Sequence, residues 1–366
     1  MSKTSAKRLY LIPVLSKALD VLEMVQRDNK PLSLEHIYQR THISKTTVYR
    51  ILKTLVHRGY LAQSQDGLYR PISKPRKVVF GFGSQSTEMP FSEAVTKSLR
   101  DAAADAGVDL VVLDNHYDPA IAVRNADEFV RKGVDLVIEF QVEQQVAAII
   151  GDKISSAGIP LIAVDIPHPH AVFFGVDNYR VGFEAGQLLV HHAQQYWAGN
   201  VSWVIGLDLE EAGPLVQSRI TGAFEGIRSV MPDIPIESFV RIDGRGMHDK
   251  SHRLVLDFLR RHPKDRHILI AAATDTSALG AVQAVRELKR EQWIAVVGQD
   301  CIEEAMEELA TAGSPLIGSV SHEAHTYGQR LIHLGLALLG GHSVTPYNYV
   351  QHKVVERGML SASTVG

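Results

Sequence analysis

The sequence is poor in features that mark secreted or membrane-bound proteins. Cys301 is the only cysteine, so no disulfide can form within the chain and a reducing compartment is expected. No apolar run approaches the length needed to cross a bilayer. The basic segment 1–14 holds a short apolar run broken by Pro13, so we interpret it as a basic arm and not as an export signal. These absences predict a cytoplasmic protein without a membrane anchor.

Acidic residues are scarce at the start of the chain. Residues 1–77 hold 15 of the 38 Lys and Arg residues but only five of the 41 Asp and Glu residues. This segment therefore carries +10, whereas the whole chain carries −3, so the remainder carries −13. A basic head on an acidic body is typical of a head that meets phosphates and a body that does not.

The stretch 43–61 has the pattern of a short amphipathic helix. Ser44 precedes it, where a hydroxyl can cap the first turn, and Gly59 follows it, where a left-handed residue is favoured. The outward face offers hydroxyls and cations without an acid, which suits a DNA major groove but also an ordinary solvated surface helix. The apolar stripe is Val48, Ile51, Leu52, Leu55 and Val56, and the outward face is Thr46, Arg50, Lys53, Thr54 and His57.

The segments around this helix favour DNA binding. A short helix capped by Ser33 precedes it, and Asp66-Gly67 predicts a β-hairpin after it. A first helix over 16–27 should turn Leu15, Ala18, Leu19, Leu22 and Val25 inward. A helix-turn-helix followed by a hairpin is a winged helix. Residues 15–71 resemble the winged helix-turn-helix DNA-binding domain of IclR-type transcriptional regulators, on the segments 16–23, 44–52 and 55–61.

The resemblance implies operator DNA as a partner, bound by a homodimer on a two-fold related site. Four residues of the second helix are expected to lie toward the bases, and three cations are expected to meet phosphates. The base-facing set is Thr46, Thr47, Tyr49 and Arg50, and the phosphate set is Lys45, Lys53 and Arg70.

The pattern of predicted secondary structure changes after a linker at residues 72–77, where prolines and cations favour an extended backbone. From Val78 onward, strands alternate with helices, which predicts an α/β fold with parallel sheets covered on both faces. In its second half, this pattern includes a strand over 236–242, a helix over 324–339 and one last strand near 349–355. The segment 78–366 exceeds one typical sheet, so two lobes are expected.

The segment 78–355 resembles the type I periplasmic-binding-protein fold, which sugar-binding transport proteins such as ribose-binding protein share with the effector domains of lac-repressor-type regulators. The matching segments, in chain order, are 89–91, 159–165, 175–178 followed by Gly182 and Gly186, 219–224, 274–280 and 297–300. The resemblance implies hinge crossovers between lobe 1, about 78–179 plus 323–350, and lobe 2, about 180–322 plus 351–366. The combination of domains departs from both families, because lac-repressor-type proteins carry a different head and IclR proteins normally carry another effector domain.

Ligands of open α/β sheets bind beyond the carboxyl ends of the strands. By resemblance to the sugar binders, Phe91 stacks on a sugar ring, Asp165 and Asp300 accept its hydroxyls, and Arg219 donates. The partner so implied is a small effector, a monosaccharide or related polyol. The full predicted ligand-binding set is Glu88, Met89, Phe91, Asp165, Arg219, Thr274, Asp300 and His322.

Several positions depart from the sugar-binding pattern. Ile166 stands where an Arg often follows the first Asp, Thr274 replaces a common Asn, and Ser92 replaces a second aromatic. The loop near Gly246 lacks the usual aromatic as well. These departures predict a smaller, less stacked or differently substituted ligand.

Simpler roles remain open for some of these residues. Asp165 can cap the segment after it, Phe91 can be plain core, and Asp177 is expected to cap a helix. Asp275 is more simply a cap for the helix at Ser277 than a ligand contact.

Other chemistries find little support in the sequence. The pairs His168/His170 and His191/His192 lack a recurring metal-ligand spacing, so scattered surface histidines are expected and no metal or cofactor is predicted. No His and acid arrangement is readable around Cys301, so no catalytic residue is predicted. The two resemblances together imply a ligand-responsive transcriptional regulator. The functions that compete with this interpretation are a transport binding protein and, less favoured, an enzyme that uses Asp165 and Asp300 as acid and base.

Overall fold

The structure, a computed structural model, describes residues 12–28, 30–71 and 77–360. The chain divides into two compact units at the junction of Lys77 and Val78. Most of the predicted basic arm 1–14, most of the linker 72–77 and the last residues assigned to lobe 2, 361–366, lie outside the described residues.

The first unit is a small helical head with a two-stranded wing. Ser33 Oγ accepts from His36 N–H at 3.1 Å and Ser44 Oγ accepts from Thr47 N–H at 3.4 Å, so both predicted hydroxyl caps form. The chain leaves the last helix through Gly59 at φ 74°, a conformation that favours glycine. Its elements are α1 Pro13–Arg27, α2 Leu34–Arg40, α3 Lys45–His57, and the antiparallel strands β1 Leu61–Gln63 and β2 Tyr69–Pro71.

Helix α1 corrects one part of the sequence analysis. It begins at Pro13, three residues earlier than predicted, because Pro is tolerated in the first turn of a helix. Leu15 and Leu19, expected to point inward, are 54% and 48% exposed. Val25 is fully buried in the core of the head as predicted, and Ala18 and Leu22 pack against that core. Val21, which was not predicted to point inward, is fully buried as well.

Lobe 1 of the second unit is a six-stranded, wholly parallel sheet with helices on both faces. Its strand order is β13-β7-β6-β5-β3-β4. The elements are β3 Val79–Ser84, α4 Pro90–Ala106, β4 Asp109–Asp114, α5 Pro119–Lys132, β5 Leu136–Glu139, α6 Gln144–Ser156, β6 Leu161–Val164, β7 Val172–Gly175, α12 Tyr327–Leu339 and β13 Tyr347–Tyr349.

Lobe 2 is a second six-stranded sheet, in the order β14-β12-β11-β10-β8-β9, with only the β12–β14 pair antiparallel. Its elements are α7 Asn178–Trp197, β8 Trp203–Asp208, α8 Pro214–Arg228, β9 Phe239–Asp243, α9 His248–Arg261, β10 Ile268–Ala272, α10 Asp275–Glu287, β11 Ile294–Gln299, α11 Glu303–Ala310, β12 Leu316–Ser321, β14 Lys353–Glu356 and α13 Arg357–Leu360. The predicted helix starting near Ala324 and strand starting near Ile236 each open instead with a short 3₁₀ turn.

The chain crosses between the lobes three times, between β7 and α7, between β12 and α12, and between β13 and β14. The third crossing corrects the prediction of one last strand over 349–355. Residues 347–349 pair with lobe 1 and residues 353–356 pair with lobe 2, so the predicted strand is two strands in two sheets. The crossing residues 350–352 separate them, because one straight strand cannot serve both sheets.

Helices α7 and α8 approach each other so closely that only glycine fits at their contacts. A Cβ added at Gly182 would lie 1.8 Å from Arg219 O, and one added at Gly222 would lie 2.0 Å from Tyr179 O. Two backbones at this distance fix the rotation of both helices. The contact therefore sets where Arg219 projects into the cavity between the lobes.

Candidate functional site

A cavity lies between the lobes, at the carboxyl ends of strands from both sheets. It is small, about 70 Å³, because the lobes meet around it. Seven of the eight predicted ligand-binding residues line it: Met89, Phe91, Asp165, Arg219, Thr274, Asp300 and His322. The eighth, Glu88, is exposed and is not among the lining residues. Its backbone N–H donates to Ser86 Oγ at 3.1 Å, which holds that turn away from the cavity.

Asp165 follows β6 in a left-handed backbone conformation, with φ 61°. Its Oδ1 is enclosed and accepts no hydrogen bond from any residue that the structure describes. Burial raises the pKa of Asp165 to about 7, and the nearby Asp300 raises it further while Arg219 opposes the shift. An enclosed acceptor without a partner, in strained backbone, is typical of a residue that meets a ligand.

Arg219 is buried and held at both ends of its guanidinium group. Its Nε and Nη2 donate to Asn178 Oδ1 at 3.0 and 2.7 Å, and its Nη1 donates to the carbonyl of Ala273. Both partners are neutral, so Arg219 keeps its positive charge facing the carboxylates of the cavity. Asn178 is the first residue of α7, directly after the first crossing between the lobes. The Arg219 side chain therefore also connects this crossing to lobe 2.

Asp300 and His322 form a buried pair beside the second crossing. His322 Nδ1 lies 3.1 Å from Asp300 Oδ1, and its Nε2 lies 3.0 Å from Gln299 Oε1. Burial lowers the pKa of His322, and its contact with Asp300 opposes the shift. The Gln299 amide is oriented by its own donation to Val181 O, so its Oε1 accepts from His322 Nε2.

Phe91 is at once part of the core and part of the cavity wall. Its ring meets Phe140, His322 and Tyr327 edge to face, with ring centroids 6.3, 5.9 and 5.7 Å away. Ser92, which follows it, is buried and accepts from Ser86 N–H at 3.2 Å. Position 92 therefore serves the turn after β3 and does not present a second ring to the cavity.

Thr274, and not Asp275 as the sequence predicted, caps α10. Thr274 Oγ1 accepts from Ser277 N–H at 3.1 Å, so Thr274 caps α10 while also lining the cavity. Asp275 does not cap that helix. It is fully buried and accepts from Ile302 N–H at 3.0 Å and from Ser319 Oγ at 2.7 Å, which joins β12 to the start of α11. Asp177 caps α7 as expected, accepting from Arg180 N–H at 3.1 Å.

An ion-pair cluster joins the lobes at the rim of the cavity. Arg245 of lobe 2 lies 3.4 Å from Glu143 of lobe 1 and 3.0 Å from Glu211 of its own lobe. Tyr117 of lobe 1 lines the cavity, and its hydroxyl donates to Arg245 O at 3.5 Å. Burial and Glu211 together raise the pKa of Glu143, while Arg245 opposes the shift. We call Glu143, Arg245, Glu211 and Tyr117 the latch.

The base-facing set predicted on α3 lies mostly in solvent. Thr46, Tyr49 and Arg50 are exposed, whereas Thr47 is half-buried with its hydroxyl 2.8 Å from Ser44 Oγ. The helix buries its opposite face in the core of the head. The solvent-facing part of the predicted set is therefore Thr46, Tyr49 and Arg50.

The three cations predicted to contact phosphates, Lys45, Lys53 and Arg70, differ from one another in their surroundings. Lys45 forms an ion pair with Glu35 of α2, and this contact raises the pKa of Lys45. Lys53 donates to Gln63 Oε1 on the wing at 3.2 Å, and Arg70 is exposed on β2. An acid from α2 thus lies beside a helix that has no acid of its own.

Comparison with known protein families assigns both units. The model of the periplasmic binding protein domain matches residues 80–343, which is more than half of the chain. The chain belongs to the periplasmic binding protein domain family. Residues 14–65 of this family member match the IclR helix-turn-helix domain. No curated protein matches the chain.

Solved structures of similar fold include an ABC transporter solute binding protein from Mycobacterium smegmatis with bound glycerol, at TM-score 0.70 and 22% identity over 78% of this chain and 96% of that one. A second Mycobacterium smegmatis structure, in complex with beta-D-fucofuranose, has TM-score 0.67 and 24% identity over 78% and 93%. A periplasmic solute binding protein from Actinobacillus succinogenes with bound D-allose has TM-score 0.68 and 19% identity over 78% and 100%. These likenesses confirm the predicted two-lobed α/β fold.

Sequence reasoning missed four polar residues of this family member's cavity, Gln85, Tyr117, Gln141 and Thr276. Gln141 follows β5 as Asp165 follows β6, so the strand-end rule was available as a signal. It is 3% exposed, its Oε1 accepts from Glu143 N–H, and no described residue pairs with its Nε2. Tyr117 sits in left-handed backbone, with φ 57°, which nothing in the sequence indicates.

The described residues contain no group of three or more His, Cys, Asp or Glu that could hold a metal ion. His168, expected at the surface, is instead buried with Nδ1 2.8 Å from Ile166 O, and burial lowers its pKa to about 4. Within the described ranges, no helix is both long enough and apolar enough to cross a membrane.

Proposed function

We propose that this chain is a ligand-responsive transcriptional regulator. The head binds operator DNA through α3 and the wing, and the two lobes bind a small sugar or polyol. The observation that carries the proposal is the presence, in one chain, of an IclR helix-turn-helix with a basic exposed face and a two-lobed domain with an acid-lined cavity. The charge division, +10 for residues 1–77 and −13 for the remainder, supports this split of roles.

The cavity suits a neutral ligand rich in hydroxyl groups. Asp165 and Asp300 supply acceptors, Arg219 and Gln141 supply donors, and Phe91 supplies an apolar ring. Ionised carboxylates accept hydroxyl hydrogen bonds strongly, and rings pack on the apolar faces of sugars. The solved structures of similar fold hold glycerol, beta-D-fucofuranose and D-allose, which are molecules of this kind.

Ligand binding would change the arrangement of the lobes. The cavity residues come from both sheets, and the latch spans the rim, so occupancy of the cavity and lobe position are linked. A ligand shifts such an equilibrium only by binding one arrangement better than the other. The regulator would act in the cytoplasm as a homodimer, reading a two-fold related operator with Arg50, Tyr49 and Thr46 toward the bases.

The similarity to transport solute-binding proteins favours one rival function, a transport binding protein. A transport role gives no use to a helix-turn-helix with an exposed basic helix, so we place it second. If Asp165 and Asp300 acted as catalytic acid and base, a bound sugar would be turned over. We expect a bound sugar to remain unchanged.

One experiment separates these functions. The full-length protein is used to select duplexes from a random DNA library, and its melting temperature is measured with monosaccharides and alditols. Arg50→Ala should lose the selected DNA but keep the ligand-induced shift, because Arg50 lies on the head. Asp165→Asn should do the reverse, and Asn tolerates the left-handed backbone at position 165. Wild-type protein that selects no DNA sequence, or Arg50→Ala that binds DNA normally, would contradict the proposal.

A further inference from the structure

The cavity is lined by both polar and hydrocarbon side chains. Five of the polar ones, which we call the polar side, are Asp165, Arg219, Asp300, His322 and Gln141. Four of the hydrocarbon side chains pack together as one cluster, which we call the apolar wall. Its members are Ile166, Leu209, Ala212 and Val216.

The apolar wall is built from both lobes and is almost fully shielded from solvent. Ile166 comes from the loop after β6 in lobe 1, and the other three come from lobe 2 between the end of β8 and the first turn of α8. Their exposed fractions are 2% for Ile166, 7% for Leu209, 1% for Ala212 and 5% for Val216. They pack as one cluster with Ala147, Ile220 and Ala273. A ligand group that faces this wall leaves water behind and meets only hydrocarbon.

Three of the four backbone N–H groups of the wall are not available to a ligand hydroxyl. Ile166 N–H donates to Val164 O at 2.7 Å, Leu209 N–H donates to Asp208 Oδ1 at 2.9 Å, and Ala212 N–H donates to Leu209 O at 3.2 Å. These donors are already used within the protein. A hydroxyl buried here without a partner would cost about 1–3 kcal/mol.

The charges of the polar side argue against an acidic ligand. Two carboxylates, Asp165 and Asp300, face the cavity, while Arg219 already donates to Asn178 and Ala273. A phosphate or carboxylate on the ligand would meet two like charges with one partly engaged cation.

We propose that the effector is a neutral deoxy sugar, which presents hydroxyls to the polar side and a methyl or unsubstituted carbon to the apolar wall. This inference rests on the proposed function, because it names the ligand class of the same cavity. A methyl group in place of a hydroxymethyl group removes the unpaired hydroxyl and keeps the apolar contact, so the deoxy member of a pair binds more tightly.

Matched sugar pairs test this directly. The full-length protein is titrated calorimetrically with 6-deoxyhexoses and their parent hexoses: D-fucose with D-galactose, L-fucose with L-galactose, L-rhamnose with L-mannose, and D-quinovose with D-glucose. In the pair that binds, we expect the deoxy sugar to bind about 5- to 150-fold more tightly, the range that an unpaired buried hydroxyl implies. A parent hexose that binds equally well or better overturns the inference.

Two variants locate the preference in the apolar wall. Val216→Thr places a hydroxyl there at nearly constant volume. Ile166→Thr, made independently, places a hydroxyl there and also removes one carbon, and each variant should move the affinity ratio of the pair toward one. Val190→Thr, in the buried face of α7 away from the cavity, is the matched control and should keep the wild-type ratio. The ratio within one variant does not depend on how much of it is folded. A wild-type ratio in both wall variants overturns the assignment to the wall.

Failure of this inference is distinguishable from failure of the proposed function. If no pair binds but an alditol stabilises the protein and changes its DNA binding, the regulator proposal stands and the deoxy-sugar inference is wrong. If no sugar or polyol of any kind binds, the proposed function loses its effector and the inference falls with it.

Discussion

Ligand affinity should increase as the pH rises through about 7, and Asp165→Asn should remove that dependence. Burial raises the pKa of Asp165 from 3.8 to about 7, with Asp300 adding to the shift and Arg219 opposing it. A ligand hydroxyl that donates to Oδ1 binds the ionised carboxylate better than the neutral acid. Ligand binding and loss of the Asp165 proton are therefore linked.

The expected magnitude follows from this pKa. At pH 5 about one molecule in a hundred has an ionised Asp165, whereas at pH 8 nearly all do. If only the ionised form binds, the apparent Kd falls about a hundredfold between these pH values, which is about 2.7 kcal/mol. Most of the change lies between pH 5 and 7, and the curve flattens above about pH 7.

Titration calorimetry across pH 5 to 8.5 measures the effect, with the ligand found by the thermal screen. Asp165→Asn should bind more weakly at pH 8 and show no rise between pH 5 and 7. Asp152→Asn changes an exposed acid of lobe 1 and should follow the wild-type curve. His322, whose pKa burial lowers, is present in all three proteins, so the difference isolates Asp165. A flat wild-type curve, or a wild-type slope in Asp165→Asn, would refute the reasoning.

The same substitution should have the opposite effect on folding. A carboxyl whose pKa is higher in the folded state loses folding stability as the pH rises from its unfolded value of 3.8 to its folded value of about 7. Without ligand, Asp165→Asn should therefore be more stable than wild type at pH 8, by up to about 4 kcal/mol, and similar at pH 4. Chemical denaturation at the two pH values checks this sign.

Three further substitutions test other parts of the structure. Arg245→Ala breaks the latch without touching the polar side of the cavity, and we expect a ligand Kd about two- to fivefold higher, mainly through faster dissociation in stopped-flow traces. Gly182→Ala puts a Cβ 1.8 Å from Arg219 O and should cost about 1–3 kcal/mol of unfolding free energy, seen as a lower melting temperature. Glu35→Gln releases Lys45 for phosphate contact and should tighten DNA binding and increase the slope of log K against log salt by about one. An unchanged ligand Kd for Arg245→Ala, an unchanged melting temperature for Gly182→Ala or an unchanged salt slope for Glu35→Gln would contradict the role given to that residue's contact.

Local pattern was enough to predict most of the elements. The helical spacing of apolar residues and the hydroxyl at Ser44 predicted α3, which begins at Lys45 directly after that cap and ends at His57, one residue after the apolar stripe. The Asp66-Gly67 pair placed the wing hairpin, in which Gly67 has φ 75°. These signals succeed because the contacts that decide them lie within a few residues along the chain.

The residues that were misjudged depend on distant contacts. Asp275 looks like a helix cap from its position, but its partners Ile302 and Ser319 are far away in sequence. Tyr117 enters the cavity because its loop meets the Arg245 loop of the other lobe. Leu15 and Leu19 fit an inward stripe with Val25 as well as Val21 does, and only packing in the head leaves them exposed and buries Val21.

The crossing at residues 350–352 has a consequence for how the protein is made. Strands β13 and β14 lie at edges of the two different sheets, yet they are the last two strands of the chain to be synthesised. Neither lobe can complete its sheet on the ribosome until this late segment has emerged, whereas the helices and wing of the head end at residue 71. A nascent or truncated chain that stops before Tyr347 would thus carry a finished helix-turn-helix and two unfinished sheets. Under the proposed function, the DNA-binding module would then exist before any means of controlling it.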